Sequence, residues 1–331
     1  MVELRVKKGE CVMGGDTELR CLVTGGAGFI GSNLVHTLVA EGHKVRILDN
    51  FETGKFENIE PVIKKIDLVV GDLSKREDVL RAVEGVDVVF HQAALPSVHR
   101  SVADPYITNR VNIEGTLNVF LAARDKGVKR VVYASSSSVY GNNENLPKEE
   151  KMLLKPMSPY AASKMANEVY GRLFYELYGL ETVGLRYFNV FGPRQNPNSQ
   201  YAAVIPKFIM ALLKGDSPVI YGDGEQSRDF TFISDVVKGN ILAAKAEGVA
   251  GEVFNIARGQ RINLNELLDL LKKIMGKNVK ALYADSRPGD VKHSLASIKK
   301  AEAILKYCPN VNLETGLQQT VAWFSKNAGA V

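Results

Sequence analysis

The sequence predicts an α/β fold: a doubly wound parallel sheet of the Rossmann type, with a smaller mixed α/β C-terminal substrate domain. Three observations carry this expectation. Short apolar runs alternate with amphipathic helical stretches from about residue 20 to about residue 190, as parallel strands covered by helices require. A glycine-rich turn, Thr24-Gly25-Gly26-Ala27-Gly28-Phe29-Ile30-Gly31, joins the first strand to the first helix. Past residue 190 the alternation weakens into segments punctuated by Pro and Gly. The expected divisions are an extension over 1–18, a dinucleotide-binding domain over 19–190 and a ligand-binding domain over 191–331. Residues 229–257 are expected to return in part to the first domain.

The elements follow in order. Residues 1–18, with Lys7-Lys8-Gly9-Glu10 and Gly14-Gly15-Asp16, have no hydrophobic period. Leu19 to Val23 reads as a short buried strand, and Ser32 to Val39 as a helix packed on a sheet. Between them Gly26, Gly28 and Gly31 satisfy G-x-G-x-x-G, while Gly25, Gly28 and Gly31 also satisfy G-x-x-G-x-x-G. Without Cβ atoms the backbone can approach a diphosphate, and the helix N-terminus offers free N–H groups to its negative charge. The second strand, Lys44 to Leu48, ends in Asp49, about 20 residues past the glycines, as the dinucleotide fingerprint requires. That carboxylate can accept both ribose hydroxyls of NAD and would repel the 2′-phosphate of NADP.

A polar loop from Asn50 to Asn58 precedes the strand Ile66 to Val70, which stops at Gly71-Asp72-Leu73. Ser74 with Glu77 three residues later reads as a capping box. The strand Val86 to Phe90 runs into His91-Gln92-Ala93-Ala94, a helix spans Val111 to Asp125, and the strand Arg130 to Ala134 enters a serine run at 135–138. Ligands of such sheets bind beyond the C-terminal ends of the strands. Here those ends carry Gly28, Asp49, Asp72, Ala93 and the serines. Arg186 to Arg194 reads as a strand leaving the sheet.

Two segments carry chemistry: Ala134-Ser135-Ser136-Ser137-Ser138-Val139-Tyr140-Gly141, and Tyr160-Ala161-Ala162-Ser163-Lys164. On a helix Tyr160 and Lys164 share a face, and Pro159 fits the first turn with Ser158 as its cap. A nearby ammonium and an oxidised nicotinamide would both lower the tyrosine pKa from its usual value of about 10. Such a tyrosine takes a proton from a sugar hydroxyl while hydride leaves the carbon. A strand-end serine can bond the same oxygen.

Composition narrows the classes. Of 331 residues 45% are hydrophobic and 24% charged, and the formal net charge is +5, which does not argue for nucleic acid. Cys11, Cys21 and Cys308 are scattered without metal-ligand spacing, so neither a disulfide framework nor a metal site is expected. No apolar run approaches membrane-spanning length and no signal-peptide core is present, which points to a cytoplasmic protein without a membrane partner.

Glycine loop, Asp49, serine run and the Tyr160/Lys164 pair together resemble the extended short-chain dehydrogenase/reductase family, and specifically its nucleotide-sugar epimerases. Within it the chain looks most like UDP-N-acetylglucosamine 4-epimerases through three stretches. These are His91-Gln92-Ala93-Ala94-Leu95-Pro96-Ser97-Val98, Tyr201-Ala202-Ala203-Val204-Ile205-Pro206-Lys207 and Gly222-Asp223-Gly224-Glu225-Gln226-Ser227-Arg228-Asp229-Phe230. The resemblance implies roles. Ser136 matches the catalytic serine, with Ser137 as the alternative, beside Tyr160 and Lys164. Gly25, Gly28, Phe29, Ile30, Gly31, Asp49, Asn50 and Ala93 fall on the NAD side, Asp72 and Leu73 at the adenine, and Asn112 and Lys164 near the nicotinamide and its ribose. Asn189, Arg228 and Arg287 match residues that hold the diphosphate of the sugar nucleotide, with Ala203, Val204, Tyr221 and Ser294 also on its side.

In the family mechanism Tyr160 removes the proton of the 4-hydroxyl while hydride passes from C4 to NAD; the 4-keto sugar turns about its diphosphate link and is reduced on its other face. Resembling 4,6-dehydratases and decarboxylases carry carboxylates where this chain has Ser136, Ser137 and Ser138, which disfavours both. A non-catalytic sensor of NAD or a nucleotide sugar would share the glycine loop and Asp49 but has no need of the Ser-Tyr-Lys trio. Ser294 stands where glucose-restricted epimerases carry a tyrosine, which leaves room for an N-acetyl group; alternatively it caps a helix starting at Leu295. The resemblance also implies a homodimer in which the helices at 109–124 and 159–178 pair into a four-helix bundle. Val169, Tyr170, Leu173, Phe174, Leu177 and Tyr178 are its candidate contacts, or else core.

Overall fold

The computed structural model describes residues 18–197, 203–285 and 291–327. The extension over 1–17 and Arg287 lie outside the described residues. Strands β1 (Arg20–Thr24), β2 (Lys44–Asp49) and β3 (Ile66–Val70) form one half of a parallel sheet. Strands β4 (Val88–His91), β5 (Arg130–Ser136) and β6 (Glu181–Tyr187) form the other. The sheet runs β3-β2-β1-β4-β5-β6 and then a seventh strand, Val253–Ile256, all parallel. The sheet is Rossmann-like, and its direction of winding reverses between β1 and β4, where open α/β sheets bind ligands.

Alternate residues of each strand face opposite ways. Cys21, Val23, Ile47 and Phe90 join one core, while Leu22, Leu48, Val89 and Tyr133 join the other. The second core is closed by helix α2 (Arg76–Val83) and by a long helical stretch. That stretch runs from α3 (Val98–Ala103) and α4 (Pro105–Asn109) through a π turn (Arg110–Glu114) into α5 (Gly115–Asp125). Helix α6 (Pro159–Tyr178) also packs there through Phe174. The first core is covered by α1 (Phe29–Ala40) and continues without a break into the C-terminal half. It takes in Phe208 of α7 (Val204–Lys214), Val236 of α8 (Ile233–Lys245), Leu267 of α9 (Leu264–Met275) and Phe324 of α10 (Leu313–Asn327).

Beyond the main sheet the strands among the described residues pair in twos. Val190–Phe191 pairs with Thr231–Phe232, Val219–Tyr221 with Leu282–Ala284, and Ser227–Arg228 with Ile262–Asn263. Within 229–257, Val253–Ile256 lies beside β6 in the main sheet and α8 packs against α1, β5 and β6.

Three local expectations are corrected. Ser74 does not cap a helix: its N–H and hydroxyl both donate to Asp72 Oδ1 (2.8 Å each), and α2 begins two residues later with no side-chain cap. The side chain of Asp72 outcompetes the helix for those donors. The helix expected from Val111 begins at Pro105, capped by Asp104, whose Oδ1 accepts from Ile107 N at 3.0 Å. The strand expected over 186–194 is two: β6 stays in the sheet to Tyr187, and only Val190–Phe191 pairs elsewhere.

Candidate active site

The glycine turn forms where β1 leaves the sheet. Gly25 takes φ +68° and its N–H donates to Leu48 O at 2.8 Å; a Cβ there would stand 2.8 Å from the Ala93 backbone. At Gly31 a Cβ would stand 2.0 Å from the Gly25 carbonyl, so α1 meets the turn backbone to backbone. The result is a bare main-chain cradle at a helix N-terminus, suited to a diphosphate.

Asp49, 8% exposed, accepts from Ala27 N (2.9 Å) through Oδ2 and from Phe51 N (2.8 Å) through Oδ1. Burial raises its pKa, opposed by these N–H groups. Each oxygen keeps a lone pair for a further donor. Asn50 donates to Asp72 Oδ2 (3.2 Å), tying the ends of β2 and β3 together. Partial burial pushes the Asp72 carboxyl up, yet the Ser74 and Asn50 bonds hold it below its usual value.

Gly25, Gly28, Phe29, Ile30, Gly31, Asp49, Asn50, Asp72, Leu73, Ala93, Tyr160 and Lys164 all line one cleft across the strand ends. An open cradle, a fixed carboxylate and a cleft reaching the Tyr160/Lys164 pair fit a dinucleotide such as NAD. Asn112 stands apart from this lining. Its amide is spent on Leu95 N (2.8 Å), Leu95 O (3.3 Å) and Ser163 Oγ (3.1 Å), so it braces the cleft wall from behind.

At the other end of the cleft Pro159 opens α6 and Ser158 Oγ caps it by accepting from Ala161 N at 3.1 Å. Lys164 is 3% exposed, its Nζ donates to Ala134 O at 2.8 Å, and it lies 5.9 Å from the centre of the Tyr160 ring. Burial lowers its pKa to about 8. Of the serines, Ser136 is the one that acts on the Tyr160 hydroxyl, drawing its pKa down. Ser136 Oγ also accepts from Ser138 N (3.2 Å) and Ser138 Oγ (2.9 Å). The expected lowering of the tyrosine pKa is not what the protein alone gives. Burial raises it, and the Ser136 bond only partly offsets that.

A second cleft gathers Asn189, Ala203, Val204, Tyr221 and Arg228 with Lys207, Gln226 and Phe230. Ala203 and Val204 sit at the start of α7, whose dipole presents its positive end there. Asn189 takes φ +33° while its Nδ2 donates to Asp229 O at 3.0 Å. Arg228 Nη1 donates to Ser227 O and Lys292 O, both at 3.0 Å. Ser294 does not cap a helix. It lies in an extended segment, its N–H donating to Ser227 O at 3.0 Å, and the next helical residue is Lys299.

The sequence reading missed two groups. Asp229 is fully buried and gathers three backbone donors, Arg258 N, Gly259 N and Ala296 N, each at 3.1 Å. Burial raises its pKa to about 6 against those bonds. Glu168, one helical turn past Lys164, is buried against Arg186 and Ser135. A lone Asp in a loop and a lone Glu on a helix give no sequence signal.

Comparison with known proteins places this geometry. Residues 21–257 match the model of the NAD dependent epimerase/dehydratase family. UDP-N-acetylglucosamine 4-epimerase from Methanobrevibacter ruminantium M1, solved with UDP-N-acetylmuramic acid, is 44% identical with TM-score 0.91, covering 94% of this chain and 100% of that one. UDP-glucose 4-epimerase from Thermus thermophilus, solved with NAD, is 38% identical with TM-score 0.86, covering 95% and 100%. A UDP-N-acetyl-alpha-D-glucosaminuronate decarboxylase of Bacillus cytotoxicus is 36% identical over 92% of this chain and 97% of its own length.

Proposed function

The chain belongs to the NAD dependent epimerase/dehydratase family, and from that premise we propose that it reversibly inverts C4 of a UDP-hexose, with NAD retained. UDP-GlcNAc and UDP-GalNAc are the proposed principal pair, with UDP-Glc and UDP-Gal also accepted. One observation carries the reading: Tyr160 and Lys164 line one end of the cofactor cleft with Ser136 beside Tyr160, and 136–138 bear hydroxyls, not carboxylates.

The glycine cradle and Asp49 would hold NAD, which would supply a hydride acceptor at C4 and a donor for the return step. Tyr160 takes the proton of the 4-hydroxyl and gives it back after the sugar turns. Ser136 donates to the phenolate and so lowers the cost of forming it. Lys164, charged below about pH 8, adds a positive charge that favours the same phenolate. Arg228 and the α7 N-terminus hold the diphosphate, as Arg suits phosphate oxygens; Asn189, Tyr221 and Arg287 are assigned to the same ligand. An elimination or decarboxylation needs an acid or base beside the sugar that Ser137 and Ser138 do not provide.

A homodimer is part of the same proposal. On α6 Val169 (49% exposed) and Leu177 (66%) face outward with Tyr175 and Tyr178, and on the neighbouring helices Val102 and Tyr106 do so too. Phe174 is core. Pairing of these helices across a two-fold axis would cover this stripe. Two copies by light scattering at micromolar concentration are expected; a monomer ends that part of the proposal.

The deciding experiment is NMR of the purified protein with UDP-GlcNAc and, separately, UDP-Glc, without added NAD. The C4 epimer of each is expected, the acetamido sugar turning over faster. A dehydrated or decarboxylated product would reassign the reaction, and no turnover with NAD supplied would leave a sensor.

A further inference from the structure

Three successive residues at the end of β5 are each gripped by one side chain of α6. Ser136 stands beside the Tyr160 hydroxyl and draws its pKa down, the Ala134 carbonyl accepts from Lys164 Nζ at 2.8 Å, and Ser135 Oγ donates to Glu168 Oε1 at 2.5 Å. Tyr160, Lys164 and Glu168 are spaced four apart, so they follow one face of the helix. Glu168 is held in turn by a two-pronged bond from Arg186 on β6, Nε to Oε1 at 2.8 Å and Nη2 to Oε2 at 2.7 Å. The pair is nearly dry, with side chains 3% and 7% exposed. Arg186 Nη1 also donates to Tyr140 Oη at 2.8 Å, and Tyr140 donates to Asn255 Oδ1 at 2.7 Å. One ion pair thus grips the chain at Ser135, just before Ser136, and at Tyr140, four residues after it.

Stability does not account for this arrangement. Two charges taken out of water recover little more than a well-packed apolar pair of the same volume would give. What the ion pair adds is direction: a bidentate Arg–carboxylate bond admits one geometry. We propose that Glu168, clamped by Arg186, is a positioning residue for proton transfer, fixing β5 against α6 through Ser135 so that Ser136 is held within reach of the Tyr160 hydroxyl. This rests on the epimerase reading for the identity of the proton moved, although it applies to any oxidation at C4 that starts at Tyr160.

Ser135→Ala removes the donor to Glu168 and leaves the ion pair with Arg186 intact. In the purified full-length protein kcat is expected to fall about 10-fold, the scale of loss for a small misplacement. KM for the UDP-sugar and NAD content should stay at wild-type values, and the melting temperature should fall by only a few degrees, because one buried hydrogen bond is lost. The acid limb of the kcat–pH profile should move upward, because a phenolate with a weaker Ser136 bond needs higher pH to form. Ser135→Thr, which keeps the hydroxyl, should restore the rate, and Glu168→Gln should lose more than Ser135→Ala. Wild-type kcat and pH profile in Ser135→Ala would overturn the proposal, even if Glu168→Gln fails to fold. Product NMR with the wild type tests the epimerase reading independently. Near-ultraviolet absorbance of reduced nicotinamide on mixing with UDP-sugar reports the C4 oxidation itself. Oxidation without a C4 epimer sinks the epimerase reading alone; an epimer with unaltered Ser135→Ala sinks the positioning role alone.

Discussion

In the cofactor cleft Gly25, Asp49 and Ala93 stand at the C-terminal ends of neighbouring strands of one parallel sheet. In the second cleft Asn189, Ala203, Tyr221 and Arg228 come from short segments whose described strands pair in twos. The first is held by backbone ladders, and its distinctive groups fall at fixed offsets along the chain. The second is held by side chains that reach between distant segments, Asp229 above all. A site on a sheet edge inherits its geometry from the fold, whereas one assembled from loops depends on a few buried polar anchors. The two should fail differently when damaged.

The largest effect separates chemistry from both clefts. Tyr160→Phe removes the proposed proton acceptor but no cradle contact, so kcat should fall by about 10³-fold, within the usual range for a general base. Bound NAD, read by absorbance after reduction, should be unchanged. Residual activity near wild type would remove Tyr160 from the mechanism.

Next comes damage confined to the sheet edge. Gly31→Ala drives a methyl to 2.0 Å from the Gly25 carbonyl, with main chain on both sides and nothing free to yield. Destabilisation of about 1–3 kcal/mol is expected, together with protein that purifies without NAD. Gly42→Ala is the control. It has φ +85° but open space around the new atom, so it should cost about 1 kcal/mol of backbone strain and leave NAD in place. Thermal melts and NAD content of the two variants check this; equal NAD loss would mean the cradle is not a close approach.

The anchor of the second cleft should respond to pH. Burial raises the folded-state pKa of Asp229 to about 6 from an ordinary 3.8, despite its three N–H donors. The folded state therefore binds the proton more tightly than the unfolded one. Stability from this group is full below about pH 4 and is lost as pH rises through about 6, on the order of 3 kcal/mol in all. Asp229→Asn cannot titrate. Denaturant unfolding of both proteins across pH 4–7 should show wild type losing stability relative to the variant as pH rises. Parallel curves would mean that Asp229 titrates as an ordinary carboxyl.

The same contrast explains what could be read from the chain alone. Glycine spacing, Asp49 and the Tyr160/Lys164 pair are local signals, since sheet edges and helix faces convert sequence offsets directly into positions. Where side chains compete for backbone donors the reading failed: Asp72 took the Ser74 donors, so no capping box formed. The π turn at Arg110–Glu114 leaves no mark in hydrophobic spacing, because the helix continues through it. Asp229 and Glu168 were silent because each acts through partners far along the chain. Asn112, matched by resemblance to a position near the nicotinamide, braces Leu95 of the cleft lining.

The smallest expected effect asks whether the second cleft, although hard to read, sets the substrate. Ser294 is fixed by its N–H to Ser227 O, in the segment that also pairs His293 with Ser227 and delivers Ala296 N to Asp229. Its backbone is therefore held beside Arg228, which bonds Lys292 O of the same segment, although Ser294 itself is not among the residues that line the cleft. Ser294→Tyr should reduce kcat/KM for UDP-GlcNAc by about 10–100-fold, the range in which a pocket discriminates by size. UDP-Glc, without the acetamido group, should keep most of its rate. Side-by-side kinetics on the two sugars read the ratio directly. Equal loss on both would mean the tyrosine disturbs the diphosphate grip, and no loss on either would mean the N-acetyl group lies elsewhere. A selective loss alone makes Ser294 a specificity determinant, and shows that a loop-built cleft can discriminate by one side chain while the sheet edge performs chemistry common to both substrates.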